Sequence, residues 1–355
     1  MSGVKHRLKG ILREGWARLL FHSGLHRLVG ALMPRRLLIL AGHCVEHPEC
    51  NGSLPRDMKI SRAKLGRILG WLGRHYELCT VGAGFERLQE GAGKSLVALT
   101  MDDGYRDNVE ALLPLLRELG APATIYVESR ALDERRVNWL HEYFWLLERL
   151  RPEELVAEYA ALSRDKPLND LLREALAAGG DLTQRAKRHL KYDADPAERE
   201  RAIDALFAAH GGDGGALCER LYMTWDGARR LQAAGIEIGG HTVHHHVLAT
   251  LPAEEQRREV AAGREAVRAA LGGEVKSFAY PFGRRWDFDA HSCEAVRAAG
   301  FETAVTTHAG TNGRAADPLR LRRWMIDEGA RLHLIAAEAC GGFDLLRKVG
   351  LDLSE

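Results

Sequence analysis

The chain has 355 residues, of which 46% are hydrophobic and 28% are charged. This is ordinary globular composition, which excludes collagen-like, low-complexity and disulfide-scaffold proteins, and the length allows one large domain or two smaller ones. Lys and Arg total 50 against 49 for Asp and Glu, so the net charge of +1 gives the whole chain no general attraction for nucleic acid. The six cysteines form no CxxC pair, which indicates reduced thiols in a cytosolic protein rather than a zinc–thiolate cluster.

The first 36 residues form a basic segment, with eight Lys and Arg residues and a single acid, Glu14, for a net charge of +7. The apolar residues recur at helical spacing, so residues 1–35 are predicted to form one amphipathic helix that Pro34 ends. A basic amphipathic helix is typical of an anionic membrane surface, and packing on the domain with a solvated basic face is the alternative. Neither a membrane span nor a signal peptide is predicted, because charges interrupt the apolar run and no small-residue cleavage site follows.

The rest of the chain alternates strands with helices, which is the pattern of a parallel α/β fold. The predicted strands are short runs of large aliphatic or β-branched residues: 36–45, 95–101, 123–127, 236–240, 275–283 and 301–307. Helices are predicted over 61–76 and up to Gly120, where Pro114 either kinks the helix or starts its main part. Residues 133–221 carry helical periodicity alone and are predicted to be a helical insertion.

The first polar motif, TMDDG at residues 100–104, follows a predicted buried strand. In parallel α/β folds such strand ends are where functional sites are built. The adjacent carboxylates of Asp102 and Asp103 leave the strand on different sides, so one could bind a metal while the other handles a proton. The structural alternative is an Asx-turn closed by Gly104.

The second motif, GGHTVHHHVL at residues 239–248, places four histidines within six residues after another strand. His241 with His245, or His241 with His244, could grip one ion, and spacing alone does not choose between the pairs. One Asp and two His at strand ends make an open site for a divalent ion. A polar turn with incidental histidines is the structural alternative.

A third motif, FAYPFG at residues 278–283, forms a tight turn through Pro281 and Gly283. Such a turn can aim a backbone N–H at a developing oxyanion. A purely structural turn at a strand end is an equal alternative.

In this order the three motifs resemble those of the polysaccharide deacetylase family, also known as the NodB homology domain or carbohydrate esterase family four. T-F-D-D-G is similar to residues 100–104, H-[ST]-x-x-H to residues 241–245, and aromatic-Pro-aromatic-Gly to residues 280–283. The resemblance covers about residues 36–130 and 222–330. It implies a distorted (β/α) barrel of the NodB type, here a catalytic domain at 36–330 that holds the insertion and is followed by a C-terminal helix at 331–355.

The resemblance also implies a role for each matching residue. Asp102 corresponds to the general base of the family, and the backbone N–H of Phe282 to a donor of the oxyanion hole. The metal ligands, usually of zinc, correspond to Asp103, His241 and His245.

Two departures from the family motifs concern the general base. Met101 replaces a Phe, which is an apolar swap. Ala279 stands where many members have an Arg that orients the catalytic Asp, and Arg284 or Arg285 is the candidate replacement. The general acid is left unassigned.

Three histidines outside the motifs are candidates for neighbours of the site. His333 lies in a Leu-His-Leu context like the late L-x-H motif of the family, although its setting is typical of a helix start. His308 follows a strand and is the alternative. His43, at the end of the first strand, either borders the site or lies in the core.

The predicted function is metal-dependent removal of acetyl groups from an N-acetylated sugar, in cell-surface polysaccharide or glycolipid synthesis. Tyr280, Pro281 and Trp286 are predicted to bind substrate, Zn²⁺ is the expected cofactor, and an anionic membrane reached through residues 1–36 is a possible partner. The expected location is the cytoplasm or the inner face of the membrane. The alternatives are hydrolysis of a non-sugar cyclic amide and a catalytically silent glycan-binding or membrane-scaffold module.

Overall fold

The computed structural model describes residues 2–178, 180–348 and 350–351, and the side chains of residues 2–8, including the basic Lys5 and Arg7, lie outside the described part. The strands are β1 (Leu37–Gly42), β2 (Cys44–Val45), β3 (Lys59–Ile60), β4 (Glu77–Cys79), β5 (Leu96–Met101), β6 (Thr124–Val127), β7 (Glu237–Gly240), β8 (Ser277–Ala279), β9 (Thr303–Val305) and β10 (Trp324–Met325). The helices are α1 (Ser2–His22), α2 (Leu25–Leu32), α3 (Pro48–Asn51), α4 (Arg62–His75), α5 (Val81–Glu90), α6 (Leu113–Leu119), α7 (Ser129–Asp133), α8 (Trp139–Leu147), α9 (Pro152–Leu162), α10 (Lys166–Ala177), α11 (Leu182–Tyr192), α12 (Pro196–Ala209), α13 (Gly214–Leu221), α14 (Trp225–Ala233), α15 (Ala253–Leu271), α16 (Ala290–Ala298), α17 (Leu332–Ala339) and α18 (Gly342–Lys348).

One parallel sheet organises the molecule, with strand order β10-β1-β5-β6-β7-β8-β9 and β4 paired to the first half of β5. The pairings of this sheet between named strands are all parallel, so the carboxyl ends of the strands meet at one edge. The sheet curls, and residues 321–325 contact both of its ends. Leu321 pairs with β9, and β10 pairs with β1 from Trp324 onward, three residues later. The predicted distorted (β/α) barrel is therefore confirmed.

Alternate residues of the central strands face the inside of the curled sheet. Leu37 and Ile39 of β1 and Leu96 and Ala98 of β5 belong to a small interior cluster, while their neighbours in sequence pack in the larger cluster with the helices. Because side chains alternate along a strand, Thr100 and the residue two positions later extend this interior row toward the carboxyl edge.

Most predicted elements of the body match the structure. The insertion lies between β6 and β7 and is helical throughout, and Pro114 starts the main part of its helix after a π-helical turn at 108–112. The predicted strand at 36–45 is divided into β1 and β2, and the prediction missed the strands β3, β4 and β10. Each has only two or three residues, which is too short for a period to be recognised.

The prediction of one helix over residues 1–35 is wrong, because the helix breaks where Gly24 adopts a left-handed conformation with φ of 78°. Both helices pack on the domain through one face. Ala17 and Leu20 are buried in the main core, and the Trp16 indole donates to the Gly342 carbonyl at 3.1 Å. The C-terminal segment likewise forms two helices, α17 and α18, and residues 349 and 352–355 of the predicted C-terminal helix lie outside the described residues.

The face of α1 and α2 that points away from the domain is apolar as well as basic. Its exposed large hydrophobic residues are Ile11, Leu12, Leu19, Leu25, Leu28 and Leu32. None of the described helices combines the length and hydropathy needed to cross a bilayer. All six cysteines are buried free thiols.

We predict that Leu20→Ala lowers the free energy of unfolding by about 2–5 kcal/mol, because it empties a fully buried site between α1 and the core. The matched control is Leu19→Ala, at a neighbouring side chain that is 53% exposed, which should change stability by less than about 0.5 kcal/mol. Urea unfolding measures both. Equal effects of the two substitutions would show that α1 is not docked as described.

Candidate metal centre and active site

Three buried side chains from two strand ends meet at the carboxyl edge of the sheet. Asp103 follows β5, and His241 follows β7 directly, with His245 one turn later. The Nε2 atoms of both histidines lie 3.3 Å from the same oxygen of Asp103, Oδ1. That oxygen is buried and has no hydrogen-bond partner.

This arrangement fits a divalent cation. Ligand atoms about 2.0–2.2 Å from one ion lie a little over 3 Å from each other, which is the spacing found here. The Nδ1–H of His241 donates to the Ala279 carbonyl at 2.7 Å, so its Nε2 is left with a lone pair facing Asp103. The third histidine that spacing allowed, His244, turns away and pairs with Glu259 at 2.5 Å.

The ionisation states of these three side chains also favour a bound cation. Burial alone would raise the pKa of Asp103, but the two imidazoles hold it well below its usual range, so the carboxylate is ionised. Burial lowers the pKa of His245, which keeps this ligand neutral. Although burial acts in the same direction on His241, Asp103 and Asp102 raise its pKa. The pocket therefore holds an excess of negative charge that a cation would neutralise.

Backbone strain is concentrated in these motifs. Outside glycine, positive φ angles occur at five described residues, and four of them are Asp103 (73°), Thr242 (65°), His245 (54°) and Phe282 (61°). Such conformations cost about 1–3 kcal/mol each and persist only where packing holds them. Helix α15 supplies part of that packing, because a Cβ at Gly263 would lie 2.8 Å from the Thr242 backbone.

The other carboxylate of the pair, Asp102, faces the barrel interior and is held by Arg323. Nη1 and Nη2 of this fully buried guanidinium each donate to one oxygen of Asp102 at 2.7 Å, and Nη1 also reaches the Thr100 hydroxyl at 3.1 Å. Burial would raise the pKa of Asp102, but the charge and hydrogen bonds of Arg323 outweigh it and lower the pKa. Asp102 is thus an oriented, ionised carboxylate beside the candidate metal site.

The expectation that Arg284 or Arg285 orients Asp102 is wrong. Both side chains lie exposed on the turn after β8, and Arg323 takes this place from the segment that joins β9 to β1. Sequence reasoning missed Arg323 because it precedes a two-residue strand and its partner is 221 positions away. The only available signal was the place of Arg323 in the sequence, after the last predicted strand, where a barrel must close.

The third motif forms the predicted tight turn, but not all of its residues lie where the prediction placed them. The N–H of Phe282 donates to none of the described groups, while its ring packs at 4.7 Å against that of His245. Trp286 is 50% exposed and remains a candidate for substrate contact. The predicted substrate contact of Tyr280 is wrong, because its ring is fully buried against Phe288 and its hydroxyl donates to a core carbonyl. Pro281 is buried beside it.

A buried polar network, which sequence reasoning also missed, supports Asp103 from the insertion. His141 of α8 bonds Asn138 Oδ1 through Nδ1 at 2.9 Å, so its Nε2 accepts from the Tyr105 hydroxyl at 2.7 Å. Burial lowers the pKa of His141 to about 4, which keeps it neutral. Burial also raises the pKa of the adjacent Glu128 to about 8. Tyr105 also interacts with Asp103, so this network borders the candidate metal site.

The three histidines outside the motifs occupy different places. His333 begins α17 and pairs with Glu14 of α1 at 2.7 Å, so it serves the packing of the terminal helices. His308 follows β9, and its carbonyl accepts from the Arg323 N–H. His43 follows β1 directly, on the strand adjacent to β5, and its charge acts on both Asp102 and Asp103.

We predict that Arg323→Met destabilises the protein by about 3–5 kcal/mol at pH 7, because it leaves Asp102 buried without a cation. The folded-state pKa of Asp102 is lowered, so its stabilising effect is present above the unfolded value of about 3.9 and is lost as pH falls through the lower folded value. In the variant, burial raises that pKa, and protonation relieves the penalty.

The stability gap between wild type and variant should therefore narrow from pH 7 to pH 5, as measured by urea unfolding. Arg322→Met, at the exposed neighbour, is the control and should change little. A variant as stable as wild type at pH 7 would contradict the assigned role of Arg323.

Comparison with known proteins agrees with this geometry. The family model for "Polysaccharide deacetylase" matches residues 89–203 and 199–304, together more than half of the chain. None of the curated proteins compared with the chain matches it.

Solved structures share the fold at low sequence identity. The Streptococcus pyogenes deacetylase PplD in complex with acetate has a TM-score of 0.56 and 14% identity, over 86% of this chain and 99% of its own. IcaB from Ammonifex degensii has a TM-score of 0.55 and 17% identity, over 87% and 98%. A de-N-acetylase from Aggregatibacter actinomycetemcomitans has a TM-score of 0.52 and 18% identity, over 84% and 98%. With the family model, the parallel barrel and the motif residues at its carboxyl edge in agreement, the chain belongs to the polysaccharide deacetylase family.

Proposed function

We propose that this protein is a metal-dependent N-deacetylase that removes acetyl groups from an N-acetylated sugar. The observation that carries the proposal is the pairing of two buried carboxylates with different partners. Asp103 has a bare oxygen between two imidazoles, and Asp102, its neighbour, is held ionised by Arg323. Amide hydrolysis needs one group of each kind, a ligand set for a Lewis acid and a positioned base.

Zinc suits the ligand set. Two neutral imidazoles and one carboxylate are typical of catalytic zinc sites, which keep a position open for water and substrate. When bound there, a divalent ion lowers the pKa of a coordinated water and polarises the acyl oxygen.

The residues of the chain then divide the remaining work. Asp102 accepts the proton of the attacking water, and Arg323 fixes the direction of the carboxylate and keeps it charged. The N–H of Phe282, which lies in a strained turn and donates to none of the described groups, is the proposed donor to the oxyanion as it forms.

His43 is the proposed proton donor for the leaving amine. It stands at the end of β1, beside β5, where its charge reaches both carboxylates. His333, in contrast, is held by Glu14 between the terminal helices.

We further propose that the enzyme works in the cytoplasm on a membrane-delivered precursor of a surface polysaccharide or glycolipid. Six free thiols suit a reducing compartment. The outer face of α1 and α2 exposes Ile11, Leu12 and Leu28 by half or more of their surface, and exposed arginines such as Arg18 and Arg27 lie among them. Apolar side chains ringed by cations fit an anionic lipid surface.

The deacetylase proposal predicts different outcomes for the two carboxylates. Asp103→Asn should remove both bound zinc and acetate release from N-acetylglucosamine oligomers. Asp102→Asn should keep about one zinc per chain and lose about 10²–10⁴-fold in rate, which is the usual worth of a general base. Asp170→Asn, at an exposed aspartate of the insertion, is the control for charge. Mass spectrometry of bound metal and an acetate assay give the two readouts.

Three further results would decide between this reaction and its alternatives. His43→Gln should keep zinc and lose more rate on amides than on an aryl acetate, whose leaving group needs no proton. Ring opening of cyclic amides without acetate release would favour a different hydrolase. Neither metal nor hydrolysis in the wild type would leave a silent glycan-binding or scaffold module.

The membrane proposal predicts that the protein sediments with vesicles containing phosphatidylglycerol and not with pure phosphatidylcholine. The double variant Leu12→Asp, Leu28→Asp should weaken this binding by at least about tenfold. Each change removes a leucine that the lipid would bury and adds a negative charge that the anionic lipid repels. Leu162→Asp, Leu176→Asp, at exposed leucines of the insertion, is the matched control. Binding that the first pair leaves unchanged would end the proposal.

A further inference from the structure

The insertion places a basic helix against the turn that carries the proposed oxyanion donor. Within Leu182–Tyr192, α11 holds Arg185, Lys187, Arg188 and Lys191 and no acid. The Lys191 ammonium lies 3.5 Å from the centre of the Phe282 ring, and the same ring packs edge-to-face on that of His245. A single aromatic ring therefore separates Lys191 from a proposed metal ligand.

Buried Asp287 ties α11 to the turn after β8. Its Oδ1 accepts from the Tyr192 hydroxyl at 2.7 Å and lies 3.1 Å from the Lys191 ammonium, and its Oδ2 accepts from the Arg284 N–H at 2.8 Å. The Tyr192 hydroxyl in turn accepts from the Trp286 indole at 2.7 Å. The last turn of α11 and the residues after the third motif thus form one wall beside the site.

This wall carries more positive than negative charge. Lys187 lies one helical turn before Lys191, on the same face, and within electrostatic reach of Arg284. Among the described residues, Lys187, Arg284 and Arg285 take part in no ion pair, and Asp287 already serves Lys191. Burial lowers the pKa of Lys187, Asp57 opposes this shift and Arg284 adds to it, while burial lowers the pKa of Lys191 to about 8. The wall thus holds more cations than its acidic neighbours neutralise, which favours the binding of an anion.

The wall also offers a surface for a sugar ring. Trp286 is half exposed, and the Arg285 guanidinium lies 5.4 Å from its ring centre. An aromatic face bordered by cations suits a sugar that carries an anionic group.

We infer that the substrate carries an oxyanion, a phosphate or a carboxylate, next to the acetamido sugar, and that Lys187, Lys191 and Arg284 bind it. This inference rests on the proposed deacetylase function and deepens it by naming the substrate class. Phosphate would come from a sugar phosphate or its lipid ester, and carboxylate from a uronic acid residue. Both accept charge-assisted hydrogen bonds from Lys and Arg.

Binding to the zinc-loaded Asp102→Asn protein tests the inference without turnover. Calorimetry compares N-acetylglucosamine, N-acetylglucosamine 1-phosphate and a disaccharide of N-acetylglucosamine and glucuronic acid. One anionic probe should bind at least about tenfold more tightly than the neutral sugar, with an advantage that shrinks as salt rises. The probe that gains identifies the source of the oxyanion.

Variants in the same background locate the effect. Lys187→Gln and Arg284→Gln should each reduce the affinity for the anionic probe, relative to the neutral sugar, by about tenfold. Lys166→Gln, at an exposed lysine of the insertion, should leave this ratio unchanged. Equal affinity for all three probes would overturn the inference. So would an advantage that both variants leave unchanged, because the oxyanion would then be bound by the zinc itself. Failure of the wild type to release acetate from any probe, with the anion preference retained, would instead count against the deacetylase function.

Discussion

Two negative charges are buried side by side at the end of β5, and the architecture of the site follows from how each is neutralised. A carboxylate taken out of water without a partner costs several kcal/mol, so the fold must bring a cation or a set of donors to each one. Asp102 receives the guanidinium of Arg323, and Asp103 receives two imidazoles and keeps one oxygen bare. The first is the proposed base, and the second is the proposed ligand of a metal ion.

The curl of the sheet is what makes this neutralisation possible. Adjacent residues leave a strand on opposite sides, so Asp102 points into the barrel while Asp103 points toward the strand that carries the histidines. An interior cation can reach Asp102 only if the chain returns to close the barrel. Residues 321–325 do this by pairing with β9 and then with β1, and Arg323 lies between the two pairings. The segment that closes the barrel therefore also supplies the cation that orients Asp102.

The insertion and the N-terminal helices add side chains around the barrel and its candidate site. Helix α8 of the insertion contributes His141, which bonds the Tyr105 hydroxyl beside Asp103, and α11 contributes the cations beside the third motif. Helices α1 and α2 share the core through Ala17 and Leu20, yet they leave apolar residues in solvent on their other face. The barrel thus holds the residues of the proposed hydrolytic site, and the added helices hold the residues proposed to bind the anionic group of the substrate and the membrane.

The sequence by itself determined the class of fold and the helical character of the insertion, and it limited the candidate metal ligands to the Asp and His residues of two motifs. These follow from local patterns: aliphatic runs that must be buried, helical periods, and Asp and His residues at fixed spacing after strands. The tertiary structure alone decided that Arg323 holds Asp102, that His141 supports the site, that Tyr280 belongs to the core and that the N-terminal segment breaks into two helices. Each of these depends on contacts between residues far apart in the chain or on a backbone angle at one glycine. Local sequence patterns do not specify which side chains, far apart in the chain, come into contact when a sheet curls and closes.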